Sequence, residues 1–152
     1  DSADLYEKLF YNLNTTGAVL SPFDSYQLIR GLKTLSLRME RSTANAQEIV
    51  AFLEQSPAVK EVLYTGRGGM ISFKVADEKR IPHILNTLKV FSFAESLGGV
   101  ESLITYPTTQ THADIPAEVR HSYGLTDDLL RLSIGIEDAR DLIEDLRQAL
   151  EG

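Results

Sequence analysis

The sequence contains no cysteine, which excludes disulfides, zinc–thiolate sites, iron–sulfur ligation and a thiol nucleophile. It has no apolar run near the ~20 residues needed to span a bilayer. Basic residues are the minority, with 15 Lys+Arg against 22 Asp+Glu and a net charge of −7. That balance argues against a general binder of phosphate backbones, so neither a nucleic-acid nor a membrane partner is expected. The three histidines, His83, His112 and His121, lack ligand spacing, so no metal is expected. Repeats, linkers and low-complexity stretches are also missing. No basic and apolar leader precedes the first helical pattern. What is present is an ordinary globular composition: 152 residues, 43% apolar and 24% charged. A chain of that size buries roughly 70% of its unfolded surface and needs no covalent staple. It starts at Asp1 rather than Met, already inside an amphipathic pattern, which predicts a piece cut from something longer.

Hydrophobic spacing predicts a short helix over residues 4–13, with Leu5, Leu9, Phe10 and Leu13 on one face. Ser21-Pro22 is the best helix start, because Ser21 can cap, Pro22 loses nothing at the first position and Asp24 stands third. From Phe23 the pattern runs helical to about Leu53, with Gly31 its weak point and a bend expected near Arg41-Ser42-Thr43. The period then changes. Val59–Tyr64 and Met70–Val75 read as strands joined by a hairpin turn at Gly66-Arg67-Gly68-Gly69. Asp77 opens a helix through Asn86, and Lys89–Phe93 and Glu101–Tyr106 read as two further strands. A short helix from Pro116 to Gly124, a strand over Asp127–Ile134 and a final helix from Glu137-Asp138 complete the chain. The order predicts an α+β fold: a mostly antiparallel, four- to five-stranded sheet with helices packed on one face, preceded by a long helix.

Three segments carry chemistry-bearing residues. In Leu129–Ile134, alternation places Leu130, Leu132 and Ile134 on one face and Arg131 with Ser133 on the other. Arg131 is then either a solvated strand residue or a guanidinium fork awaiting a carboxylate or phosphate, and periodicity does not separate these. Glu95-Ser96-Leu97-Gly98-Gly99 is either a plain loop or a place where backbone approaches closely. The hydroxyl-rich Thr108-Thr109-Gln110-Thr111-His112 is a self-capping loop or a wall of hydrogen-bonding groups. The Gly66–Gly69 turn lacks the Lys-Ser/Thr of a phosphate loop and does not open a helix.

Read in order, several blocks resemble a known family. These are Ser21–Tyr26, Arg30–Leu35, Arg38–Arg41, Gly69–Phe73, Glu95–Ile104, Thr111–Ala113, Leu130–Asp138 and Asp141–Ile143. Together they resemble the Cys/Met-metabolism, pyridoxal-phosphate-dependent trans-sulfuration enzymes: cystathionine γ-synthase, γ-lyase and β-lyase. The likeness covers only the carboxy-terminal part of such an enzyme. It implies that residues 1–20 end the large domain and its linker, 21–54 form the long connecting helix and 55–152 form the carboxy-terminal domain. By the same resemblance, Arg131 binds the substrate α-carboxylate bidentately, Ser96 stands near the same carboxylate, Thr111 lines the pocket, and Glu95 is a specificity residue that mildly favours γ-carbon chemistry. The resemblance implies pyridoxal 5'-phosphate in the intact enzyme. No catalytic residue is expected in this chain, because none of Lys8, Lys33, Lys60, Lys74, Lys79 or Lys89 has the family's Schiff-base setting. The chain alone is therefore expected to be inactive and to carry no cofactor. It further implies a cytoplasmic enzyme, a homotetramer when intact, with the large cofactor-binding domain and a small amino acid as partners. A stand-alone amino-acid-binding or interaction module is the alternative.

Overall fold

The computed structural model describes residues 2–152. Contacts divide the chain into two compact units, one reaching Ser36 and the other running from Leu37 to Gly152. In the first, α1 (Ala3–Thr16) is capped by the Ser2 hydroxyl, which accepts from Leu5 N at 3.2 Å. It ends at Gly17, whose φ of 62° lets its N–H return to the Leu13 carbonyl. α2 (Pro22–Leu32) starts as the sequence predicts: Ser21 Oγ accepts from Asp24 N at 3.1 Å and Pro22 occupies the first turn. Neither helix buries a residue.

The long helix breaks earlier than expected. The chain turns at Lys33-Thr34, just past Gly31, and resumes as α3 (Leu35–Leu53). Arg41-Ser42-Thr43 stays helical. The hydroxyls there serve distant partners, with Ser42 Oγ donating to Ile134 O (2.6 Å) and Thr43 Oγ1 accepting from Gly68 N (3.1 Å).

The second unit is built on a five-stranded sheet ordered β1-β2-β5-β4-β3. Its strands are β1 (Val59–Tyr64), β2 (Met70–Val75), β3 (Ser92–Phe93), β4 (Leu103–Thr105) and β5 (Leu129–Ser133). All neighbours are antiparallel except β3 and β4, so the expected α+β, mostly antiparallel architecture is what the chain forms. The other helices are α4 (Ile81–Thr87), preceded by a 3-10 turn at Glu78–Arg80, α5 (Ala117–Ser122) and α6 (Ala139–Glu151).

One sheet face carries Ile71 and Phe73 of β2, Leu130 and Leu132 of β5 and Ile104 of β4, all fully buried. They form one core with Ala46, Ile49 and Leu53 of α3, Ile81 and Ile84 of α4, and Leu142, Leu146, Ala149 and Leu150 of α6. Alternation sends Ser72, Arg131 and Thr105 to the opposite face, where the register aligns them across β2, β5 and β4.

Two strands are shorter than the pattern predicts, because their N–H groups are used elsewhere. Lys89, Val90 and Phe91 all donate to the buried Asp145 carboxylate (2.9, 2.8 and 3.1 Å), leaving only Ser92-Phe93 to pair. Ser102 N donates to Glu137 Oε1 at 2.7 Å instead of extending β4.

Candidate functional site

Arg131 sits at the centre of β5, half-buried, with Ser72 and Thr105 as its cross-strand neighbours. Among the described residues, no carboxylate or carbonyl ion-pairs or hydrogen-bonds with its guanidinium. A guanidinium carries five donors in a fixed fork, and burying it without an acceptor is unfavourable.

The loop bearing Glu95 and Ser96 is tied to the strand beside Arg131. Ala94 N donates to Ile104 O (3.1 Å), and Thr105 Oγ1 donates to Ala94 O (3.1 Å). Ser133 Oγ, two residues beyond Arg131 on the same face, donates to Ser96 Oγ at 2.8 Å. Ser96 Oγ also accepts from Gly98 N at 3.4 Å, closing a short turn. A cavity of about 250 Å3 is lined by Ser96, Gly98, Gly99, Ser133 and Gly135, with Arg38 and Met39 on its α3 side; Arg131 is not among its lining residues.

A lattice of hydrogen bonds holds the floor of this cavity. Ser102 Oγ donates to Glu137 Oε2 (2.8 Å) and accepts from Gly135 N (2.8 Å), while Asn45 Nδ2 donates to the carbonyls of Gly135 (3.1 Å) and Glu137 (2.8 Å). Gly135 is required there, because a Cβ would overlap the Val100 carbonyl and the Glu137 carboxylate.

The structure brings Arg131 and Ser96 to one side of the sheet through Ser133. Glu95 is exposed in the same loop, and among the described residues no cation pairs with it. Thr111 lies elsewhere in its contacts: it is exposed and hydrogen-bonds to the His112 ring at 2.7 Å. Its segment belongs to the excursion 106–128 between β4 and β5, which a buried residue absent from the sequence-derived candidates holds together. Arg120 is 9% exposed. Its guanidinium donates to Ile115 O (3.2 Å) and Asp127 Oδ1 (3.0 Å), and His121 Nε2 lies 3.2 Å from Asp127 Oδ2. The hydrogen bond from Arg120, helped by its charge and by His121, holds the Asp127 carboxyl below its ordinary value. For the neighbouring Asp128, desolvation pushes upward, but hydrogen bonds from Lys60 and Thr126 outweigh it and the net shift is downward. Ser133 is the partner least visible in the sequence. Its only signal is the period-2 spacing from Arg131.

The model of the Cys/Met metabolism PLP-dependent enzymes matches residues 1–151. This chain belongs to that family. It is 58% identical over 96% of its length to the cystathionine gamma-synthase/O-acetylhomoserine (thiol)-lyase of Bacillus subtilis, and 49% identical over 99% of its length to the cystathionine gamma-lyase of the same organism. It spans 39% and 44% of those two proteins. Among solved structures, the cystathione gamma lyase from Micromonospora echinospora superposes with a TM-score of 0.91 at 36% identity, covering 99% of this chain and 44% of that one. The cystathionine gamma synthase from Xanthomonas oryzae pv. oryzae, solved with aminoacrylate and cysteine, gives 0.87 at 40% identity, over 99% of this chain and 43% of that one. The chain thus spans about two fifths of the relatives it matches, and their family is pyridoxal-phosphate-dependent.

The lysine nearest Arg131 in register is not free to attach that cofactor. A lysine that forms an imine must shed its proton and lie free to attack an aldehyde. Lys74 is the lysine nearest Arg131 in register, on the same sheet face, and its ammonium is paired with Glu61 at 2.6 Å. The other lysines are exposed: Lys8 pairs with Asp4, Lys60 pairs with Asp128, and Lys33, Lys79 and Lys89 lie on helix ends and turns. Among the described residues, no helix is long and apolar enough to cross a membrane.

Proposed function

We propose that this chain is the carboxy-terminal, substrate-side domain of a pyridoxal-phosphate-dependent enzyme that makes or breaks a C–S bond in cystathionine or a related amino acid. In this reading residues 1–20 end the large-domain segment, 21–54 connect the domains and 55–152 form the substrate-side domain. The intact enzyme is a cytoplasmic homotetramer whose large domain holds the cofactor. The chain by itself is inactive.

The observation that carries the reading is Arg131: a half-buried guanidinium at the centre of the sheet, beside the Ser96 loop, with no partner among the described residues. Arg131 binds the substrate α-carboxylate with its fork, a geometry that fixes orientation as well as adding energy. Holding the carboxylate at one end of a small molecule fixes where its reacting carbon stands, which is the main contribution a remote clamp makes to rate. Ser96 donates a further hydrogen bond to that carboxylate. Thr111 lines the pocket from the excursion 106–128. Glu95, exposed and unpaired among the described residues, receives the distal ammonium of a cystathionine-like substrate and favours γ-carbon chemistry.

The test is Arg131→Lys in the full-length polypeptide. Replacing a bidentate fork by a point charge is expected to lower kcat/KM for the amino acid by about 10²- to 10³-fold. Binding of the matching amine, which lacks the α-carboxylate, should be unchanged. An equal loss for amino acid and amine would remove Arg131 from the carboxylate site. The isolated chain supplies a second check through titration with pyridoxal phosphate, borohydride reduction and peptide mapping. Stoichiometric labelling of one lysine together with consumption of cystathionine would overturn the assignment of the chain as substrate-side only.

A further inference from the structure

The sequence contains two methionines, Met39 and Met70. They stand on different elements, α3 and the start of β2, yet both line the cavity beside Ser96, and each is 46% exposed. A thioether in contact with water is open to two-electron oxidants, whereas one packed in a core is shielded. The two differ in what lies next to them. Met70 pairs with Ser133 across β2 and β5, and the next pair on that sheet face is Ser72 with Arg131. Met70 is therefore the diagonal neighbour of Arg131, at about 7–8 Å, a span that long side chains bridge. Met39 stands on a helix and shares no strand register with Arg131.

We propose that Met70 is an oxidative modification site that controls the Arg131 fork: its sulfoxide supplies an acceptor to the guanidinium and competes with the substrate carboxylate. The proposal rests on the carboxylate reading of Arg131. As a thioether, Met70 is only a weak acceptor and leaves the guanidinium to an incoming carboxylate. Hydrogen peroxide changes that. A sulfur lone pair attacks one peroxide oxygen, the S–O bond forms as the O–O bond breaks, and the displaced hydroxide takes the proton of the transferred oxygen and leaves as water. Sulfur is oxidised by two electrons and the peroxide is reduced by the same two. The product carries a polar oxygen on a flexible stem, beside five guanidinium donors for which no described residue supplies an acceptor. Being tethered, that oxygen meets Arg131 at high effective concentration. It bears no net charge, so a carboxylate still displaces it, and the outcome is weaker binding rather than a lost site. Reduction of the sulfoxide to the thioether reverses the effect.

The experiment treats the full-length holoenzyme with hydrogen peroxide, follows oxidation by peptide mass mapping and measures the dissociation constant of glycine by calorimetry. Wild type, Met70→Leu, Met39→Leu and Arg131→Gln are compared, each against its own untreated sample. Mapping should find an added oxygen on Met70 and on Met39, which are equally exposed. Glycine affinity should then fall about tenfold in wild type and in Met39→Leu, the scale of one hydrogen bond from a charged donor. Methionine sulfoxide reductase with dithiothreitol should restore it. Met70→Leu should keep its affinity through the same treatment. The proposal is overturned if Met70 stays unoxidised while Met39 reacts, if oxidised Met70 leaves glycine affinity unchanged, or if Met70→Leu loses affinity as wild type does. Arg131→Gln separates the two readings. Untreated, it should already bind glycine weakly, and peroxide should add no further loss. If peroxide weakens it further, only the role of Met70 fails. If untreated Arg131→Gln binds glycine as tightly as wild type, the carboxylate reading fails, and the Met70 proposal with it.

Discussion

A methyl group at position 135 would overlap the Val100 carbonyl and the Glu137 carboxylate, both fixed by the hydrogen-bond lattice under the cavity. The obstruction includes backbone, so it cannot be relieved by turning a side chain. Gly135→Ala is expected to destabilise the fold by about 3 kcal/mol or more, the upper range for overpacking, and to lower the urea midpoint accordingly. Gly124→Ala is the control. Gly124 has a φ of 88° but open space around it, so it should lose only about 1 kcal/mol of conformational preference. Equal midpoints for the two variants would mean the loop after β5 relaxes freely. The same scale shows what the sequence does and does not disclose. Arg131 is legible because its neighbours Leu130 and Leu132 alternate into the core. The bond from Ser133 to Ser96 is not, because residues 37 positions apart meet only after β4 and β5 have paired.

The bounds of an element are set by partners that lie outside its own hydrophobic pattern. β3 is cut short because Asp145, on α6, takes three consecutive amides that the alternation in Lys89–Phe93 had assigned to the sheet. A signal did exist: an acid on the helix face shared by Leu142, Leu146 and Ala149 must find buried donors. α3 stays helical through Ser42-Thr43, whose hydroxyls bond to Ile134 and Gly68, and the break falls at Lys33-Thr34, just past Gly31. No single helix's pattern contains that information. The excursion 106–128 yields a prediction of its own. Its Asp127 carboxyl is held below the ordinary value of 3.8, chiefly by the hydrogen bond from Arg120. A depressed native pKa means the stabilisation is fully present above 3.8 and is lost as pH falls through the native value. The wild type should therefore have a higher urea midpoint than Asp127→Asn at neutral pH. The gap should persist down to about pH 4 and close as the pH falls below 3.8. The carboxylate is 43% exposed, so the gap should be small. A gap independent of pH would show that the charge of Asp127 does not hold the excursion.

At the scale of the whole chain, the two units differ in what they bury. The unit from Leu37 onward has a closed core of aliphatic side chains with Phe73 and Phe91. α1 and α2 bury none of their residues, yet Leu9, Phe10, Phe23 and Ile29 are 61%, 57%, 69% and 57% exposed. Helices of 14 and 11 residues are marginal in water when nothing covers their apolar faces, since propagation barely offsets nucleation at that length. A large exposed apolar surface also favours association. The purified chain should therefore show one of two linked behaviours as concentration rises. When dilute, residues 3–32 should exchange their amides near the free-peptide rate while β2 and β5 stay protected. When concentrated, sedimentation velocity should show growing species, and protection should appear in α1 and α2 together with them. The double substitution Leu9→Glu and Phe10→Glu should suppress both the association and the protection. It should leave the unfolding midpoint of the unit from Leu37 onward in place, because that unit's core contains no residue of α1. A strict monomer at all concentrations, with α1 and α2 already protected, would contradict the argument: those helices would then be stable with their apolar faces in water.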